Sequence, residues 1–167
     1  MAILLADALG VDRFKDQVKI YATDIDNEAL REGRHASYTD RQVAGVPAEA
    51  LARYFDLVRG RYVFSKDLRR SVIFGRHDLI QDAPISRVSL LVCRNTLMYF
   101  NSEAQARILD RFHFALADQG LLFLGKAEML VVRGGMFAAT DLKARIFEKL
   151  PRTSANGRER AVEADEG

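Results

Sequence analysis

The strongest signal in the pattern of hydrophobic and polar positions is an apolar run near the middle of the chain, Val88 to Cys93, broken only by Ser89. A run of that length predicts a strand buried on both faces of a sheet. Arg94 and Asn95 follow without a spacer, then Tyr99 and Phe100. Asn101 and Ser102 open a helix in which Ser102 and Gln105 have capping-box spacing. Ile108, Leu109, Phe112, Ala115 and Leu116 continue it as an apolar stripe to about Asp118, with Gln119-Gly120 as its end. Leu121 to Leu124 reads as another buried strand. Met136 to Ala138 and Arg145 to Leu150 read as a closing antiparallel pair.

The first half of the chain is patterned less strongly. Residues 1 to 10 have the apolar content of a helix end, with Gly10 as its C′ residue. Val18 to Thr23 is β-branched and aromatic, which predicts a strand ending in Asp24-Ile25-Asp26. A short helix follows from Asn27 to about Arg31, with Asp26 or Asn27 as its cap. Pro47 begins another helix, with Leu51, Tyr54, Phe55 and Val58 on one face. Arg59-Gly60-Arg61 turns into a short strand, Tyr62 to Ser65, and Val72 to Phe74 is a further one. From Pro151 onward little is left to bury, so 151–167 is expected to be a disordered tail.

Composition narrows the class without changing this picture. The 167 residues, 49% hydrophobic and 29% charged, suit one soluble α/β domain. A net charge of +2 gives no electrostatic case for nucleic acid. The single Cys excludes an internal disulfide and fits a reducing cytoplasm. The start lacks a basic leader, and no apolar run approaches the ~20 residues that span a bilayer, so no membrane insertion is expected. Seven Arg or Lys against two Asp between Arg53 and Arg76 either dock an acidic partner or form a solvated face.

The candidate chemistry lies at strand ends, where open α/β sheets bind ligands. Asp24 can accept the two hydroxyls of a ribose. Asp78 can accept from an exocyclic amine with Leu79 against a purine face, or simply cap its loop. Arg94 and Asn95 either cap strand and loop or line the lip of a small-molecule site. The Gly120-to-Lys126 stretch mimics a P-loop but has Ala127 where the metal-binding Ser or Thr belongs. The His residues share no ligand spacing, so no metal is expected.

Several fragments occur in the order of one family. These are Ile20-Tyr-Ala-Thr-Asp-Ile-Asp26, Tyr54-Phe55, Leu68-Arg69, Val72-Ile-Phe74, Asp78-Leu79 and Cys93-Arg-Asn-Thr-Leu-Met-Tyr-Phe100. Gly120-Leu-Leu-Phe-Leu-Gly125, Ala127-Glu128 and Arg145-Ile-Phe-Glu-Lys149 complete the series. Over roughly residues 1–150 the chain resembles the CheR-type chemoreceptor glutamate methyltransferases, and its wording is most similar to the CheR domain of CheB/CheR hybrids.

That resemblance implies a Rossmann-like, S-adenosylmethionine-dependent methyltransferase fold with a small β-subdomain at about 38–70. It implies S-adenosylmethionine as cofactor, Asp24 at its ribose, Asp78 and Leu79 beside the adenine, Arg94 and Asn95 on the methionine side, and Tyr99 near the transferred methyl as catalytic residue. The implied reaction is protein-glutamate O-methylation in chemotaxis signalling, and the implied partner is a chemoreceptor cytoplasmic domain or related signalling protein. The family's first strand and glycine-rich loop precede the helix that ends at Gly10, so the fold is expected to be incomplete here. The missing strand would leave backbone groups unpaired at about 1–3 kcal/mol each. Either the two flanking strands close on each other, or a partner such as an upstream CheB/CheR-type polypeptide fills the gap, or the piece is only marginally folded. The alternative is a non-catalytic remnant or interaction module of a chemosensory protein.

Overall fold

The computed structural model describes residues 1–126 and 135–151 and divides into two units, Met1–Asp78 and Leu79–Gly167. Ala127-Glu128 and residues 152–167, including nearly all of the expected tail, lie outside the described residues.

In the first unit, α1 (Ala2–Leu9) stops at Gly10, whose φ of +83° is a backbone conformation that glycine reaches without strain. A second helix, α2 (Val11–Gln17), was not legible in the sequence, because Phe14 is its one buried residue and no apolar stripe repeats. β1 (Ile20–Asp24) starts two residues later than the apolar pattern indicates and pairs in parallel with β5 (Val72–Arg76), Asp24 opposite Arg76. Between them in sequence, α3 (Asn27–His35) runs longer than expected and is capped by Asp26, which accepts from the Glu28 amide at 2.8 Å. It packs so closely on β5 that a Cβ added at Gly33 would lie 2.5 Å from the Phe74 ring.

A small antiparallel sheet has the order β2 (Ser37–Tyr38), β4 (Arg61–Phe64), β3 (Phe55–Val58). Short helices α4 (Asp40–Val43), α5 (Ala48–Tyr54) and α6 (Lys66–Arg69) surround it in sequence. The helix expected to run from Pro47 through Val58 ends at Tyr54 instead. From Phe55 the backbone is extended, because Phe55 pairs with Phe64 and meets the rings of Tyr38, Tyr62 and Phe64 edge-on. Arg59 and Gly60, both at positive φ, make the tight hairpin turn.

Several members of the basic run hold this unit together. Arg61 donates twice to Ser37, to its hydroxyl at 2.9 Å and its carbonyl at 2.8 Å. Arg69 donates to the Arg34 carbonyl at 3.0 Å, satisfying an orphan acceptor at the end of α3. Phe14, Leu68, Tyr54 and Ala6 form the core.

In the second unit, β6 (Val88–Cys93) leads through a single 3₁₀ turn (Leu97–Tyr99) into α7 (Ser102–Ala115). Then come β7 (Leu116–Leu124), β8 (Phe137–Asp141) and β9 (Ile146–Lys149), in the sheet order β6-β7-β9-β8. β6 and β7 are parallel and the other pairs antiparallel. Three expectations are corrected here. The helix ends at Ala115, and Leu116 already pairs with Val88 in β7. The register shift that follows is taken up at Gln119 (φ +60°) and Gly120, where a Cβ would lie 2.8 Å from a backbone oxygen. Asn101, not Ser102, is the N-cap, accepting from the Ala104 amide at 2.9 Å. And β6 is buried on one face only. Cys93 is buried in a core with Leu97, Ile108, Leu109, Leu122 and Leu124, whereas Leu90 and Val92 on the other face are 38% and 42% exposed.

Candidate functional site

Two strand ends carry the candidate chemistry, one in each unit. At the carboxyl end of β1, Asp24 is exposed and shapes its own loop, its Oδ1 accepting from the Asp26 amide at 2.9 Å. Its carbonyl accepts from the His77 amide at 3.0 Å, so parallel pairing carries on past the last residue of β5. Asp24 and the segment entering Asp78 therefore share one edge of the β1-β5 sheet. Asp78 is half-buried.

In the second unit Leu79 is half-buried against the core that holds Cys93 and Leu97. Arg111 on α7 fixes this stretch: its Nε donates to the Leu79 carbonyl at 3.0 Å and its Nη2 to the Asp82 carbonyl at 2.6 Å. At the end of β6 the Cys93 carbonyl accepts from the Gly125 amide at 3.1 Å. Arg94 turns its guanidinium over the Phe123 ring, 5.6 Å from the centroid, while remaining exposed. Asn95 follows at φ +56°, a conformation that Asn tolerates better than most residues. Thr96 closes the turn by donating to the Arg94 carbonyl at 3.1 Å.

Tyr99 ends the 3₁₀ turn and is 80% exposed. Leu97 in the same turn is fully buried, so one side chain anchors the segment and the other is presented. Gln105 lies one helical turn into α7, and its Nε2 donates to the Leu97 carbonyl at 2.8 Å and the Phe100 carbonyl at 3.0 Å. In the sequence Gln105 is marked only by its capping-box spacing from Ser102, and no local pattern marks Arg111 or Phe123. The available signal for Arg111 was its place on α7 beside core-facing Phe112.

A different polar cluster lies in the first unit, where a cavity of about 320 Å³ is lined by Asp7, Arg53, Tyr54, Asp67 and Leu68 among others. The Tyr54 hydroxyl donates to Asp7 Oδ1 at 2.5 Å, and Arg53 pairs with the same oxygen at 3.4 Å. The bond to Asp7, aided by burial, holds the Tyr54 phenol above its ordinary pKa of 10.0. Among the described residues no group of three or more His, Cys, Asp or Glu is placed to hold a metal ion, and no helix is long and apolar enough to cross a membrane.

The family profile "CheR methyltransferase, SAM binding domain" matches residues 1–146. An uncharacterised 104.1 kDa protein of Rhodobacter capsulatus is 35% identical over 150 residues, 90% of this chain and 16% of that one. The putative methyltransferase Cher3 of Pseudomonas putida is 33% identical, over 77% of this chain and 48% of its own. Chemotaxis protein methyltransferase 1 of Pseudomonas aeruginosa is also 33% identical, over 78% of this chain and 48% of its own. The chain thus spans about half the length of these two methyltransferases.

Proposed function

We propose a function from one premise: the chain belongs to the CheR methyltransferase family, residues 1–146 matching its SAM-binding domain. The protein transfers a methyl group from S-adenosylmethionine to glutamate side chains of a chemoreceptor cytoplasmic domain or related signalling protein, in the cytoplasm. The observation that carries this reading is that polar side chains stand at the carboxyl ends of parallel strands, Asp24 on β1 and Arg94-Asn95 on β6.

The donor set suits the cofactor piece by piece. Asp24 offers an exposed carboxylate to the ribose hydroxyls, and its backbone is already fixed by the bonds to Asp26 and His77. Asp78 would accept from the adenine amine, and Leu79 would supply an apolar wall. Arg94, steadied by Phe123, and Asn95 line the methionine side. Tyr99 would lie on the side of the transferred methyl. When bound, S-adenosylmethionine would supply a methyl carbon on a good sulfonium leaving group, and a glutamate carboxylate, already a nucleophile at neutral pH, would need no proton removed. The residues therefore act by alignment and exclusion of water rather than as acid or base.

The small β2-β4-β3 sheet, which begins at Ser37 and otherwise falls in the 38–70 subdomain, is the receptor-facing part in this reading. Among the described residues β1 has β5 as its one neighbour and β6 has β7, each keeping an unpaired edge. Those edges support a site completed by a further strand and glycine-rich loop from a CheB/CheR-type polypeptide. A second reading, a non-catalytic interaction module, draws on the uncovered apolar positions Tyr21 and Ile73 on one sheet and Leu90 and Val92 on the other.

The test is methyl transfer by the full-length protein to a receptor cytoplasmic fragment, using methyl-labelled S-adenosylmethionine. The expected product is label that alkali releases as methanol, the signature of a glutamate methyl ester. Protein that binds S-adenosylhomocysteine yet leaves no alkali-labile label on any receptor fragment would favour the interaction module.

A further inference from the structure

Tyr99 poses a mechanical problem. Its side chain is 80% exposed, so packing does little to hold the ring, and its direction is set by the backbone of the 3₁₀ turn beneath it. A turn this short has few bonds of its own: the Tyr99 amide donates to the Thr96 carbonyl at 3.2 Å and the Phe100 amide to the Leu97 carbonyl at 3.0 Å. Such turns are poor holders, because their hydrogen-bond geometry is weaker than that of an α-helix.

The side chain of Gln105 supplies the missing restraint. Its Nε2 reaches two carbonyls that bracket Tyr99, Leu97 O on one side at 2.8 Å and Phe100 O on the other at 3.0 Å. Two acceptors around one amide terminus also settle which way the amide faces, since Oε1 in that place would repel both carbonyls. The platform under Gln105 is firm. Its own amide donates to the Asn101 carbonyl at 2.9 Å, inside a helix start capped by Asn101 and backed by the buried residues Ala104 and Ile108. Buried Leu97 fixes one end of the turn in the core, and Gln105 fixes both carbonyls at its rim.

We infer that Gln105 is the positioning residue for Tyr99: it clamps the turn so that an exposed tyrosine keeps one direction during methyl transfer. The inference deepens the proposed function and rests on Tyr99 standing beside the transferred methyl. It assigns Gln105 no contact with cofactor or receptor.

The experiment is a double-mutant cycle in the full-length protein. It combines Gln105→Met, which keeps length and loses both donors, with Tyr99→Phe and Tyr99→Ala, and uses Gln105→Glu as a second clamp variant. Readouts are kcat, KM for S-adenosylmethionine, affinity for S-adenosylhomocysteine and melting temperature. Gln105→Met and Gln105→Glu should each lower kcat roughly 10- to 100-fold, the scale of a small misplacement of a reacting partner. Cofactor affinity should stay within about twofold, because the residues assigned to the cofactor lie outside the clamped turn. In the Tyr99→Ala background the Gln105 substitutions should have almost no further effect on kcat, since the group they position is gone.

If the Tyr99 variants cut kcat while both Gln105 variants leave it at the parental level, the clamp is refuted and the site reading stands. If the Tyr99 variants leave kcat unchanged, the reading of Tyr99 fails and the clamp fails with it. If the Gln105 variants lower kcat equally with and without Tyr99, or lower cofactor affinity in step with kcat, Gln105 acts on something else. Should Gln105→Glu unfold the helix start, its melting temperature will show it, and Gln105→Met decides alone.

Discussion

Asn95 answers to its backbone and, in the proposed function, also to the cofactor, and the two demands can be separated. At φ +56° most L-residues pay about 1–2 kcal/mol, so Asn95→Ala both strains the turn and deletes the amide. Asn95→Gly keeps the conformation and deletes only the amide. The account expects the glycine variant to melt close to the parent and to bind S-adenosylhomocysteine about tenfold more weakly, the loss of one good hydrogen bond. Parental affinity in that variant would mean that Asn is there for its backbone alone.

Tyr54 gives a prediction in pH. Its pKa is raised in the folded protein by donation to Asp7 and by burial, so its contribution to stability is complete below pH 10 and is lost as pH rises through the folded value. Urea unfolding from pH 9 to 11 should show a steeper alkaline loss in the parent than in Tyr54→Phe. Parallel curves would contradict the bond to Asp7.

At the scale of elements, burial decides what each strand and helix contributes. Ile108 on α7 is fully buried in the second unit's core, and Ile108→Ala should cost about 2–5 kcal/mol of stability. Val92 on β6 faces outward and is 42% exposed, so Val92→Ala should cost under about 1 kcal/mol. Equal losses in denaturant titration would show that the outer face of β6 is covered.

The same contrast explains what the sequence conveyed. The run Val88 to Cys93 marked a strand correctly, because five apolar residues broken only by Ser89 are hard to place otherwise. It overstated burial, because composition does not show whether a second layer covers a face. Phe55 and Val58 fitted a helical stripe by spacing, yet pairing with β4 and the ring contacts of Phe55 drew them into a strand. α2 escaped notice because a helix with one buried residue has no period to read. Site chemistry followed the same division. Residues at strand ends, such as Asp24 and Arg94, stood out against their apolar strands. Gln105, Arg111 and Phe123 act through contacts distant in sequence or through the fold of one turn, which no local pattern encodes.

At the scale of the whole molecule, each unit has its own core, one around Phe14 and Leu68 and the other around Leu97, Ile108 and Leu122. Each also carries a strand end with candidate chemistry, on β1 or β6, whose strand lies at the edge of its sheet among the described residues. The proposed function assigns residues of both ends to one cofactor, a reading supported by the match of residues 1–146 to a SAM-binding domain. Cofactor binding that depends on both ends is therefore the central claim. Neither Asp24 nor Arg94 is needed for a core, so their substitution separates binding from folding.

The most direct measurement is calorimetric titration of the full-length protein with S-adenosylhomocysteine, alongside Asp24→Ala and Arg94→Ala. The account predicts micromolar binding by the parent, weakened by about 1–3 kcal/mol in each variant with the melting temperature held. Binding unaffected by either substitution, or no binding by a protein shown to be folded, would contradict it.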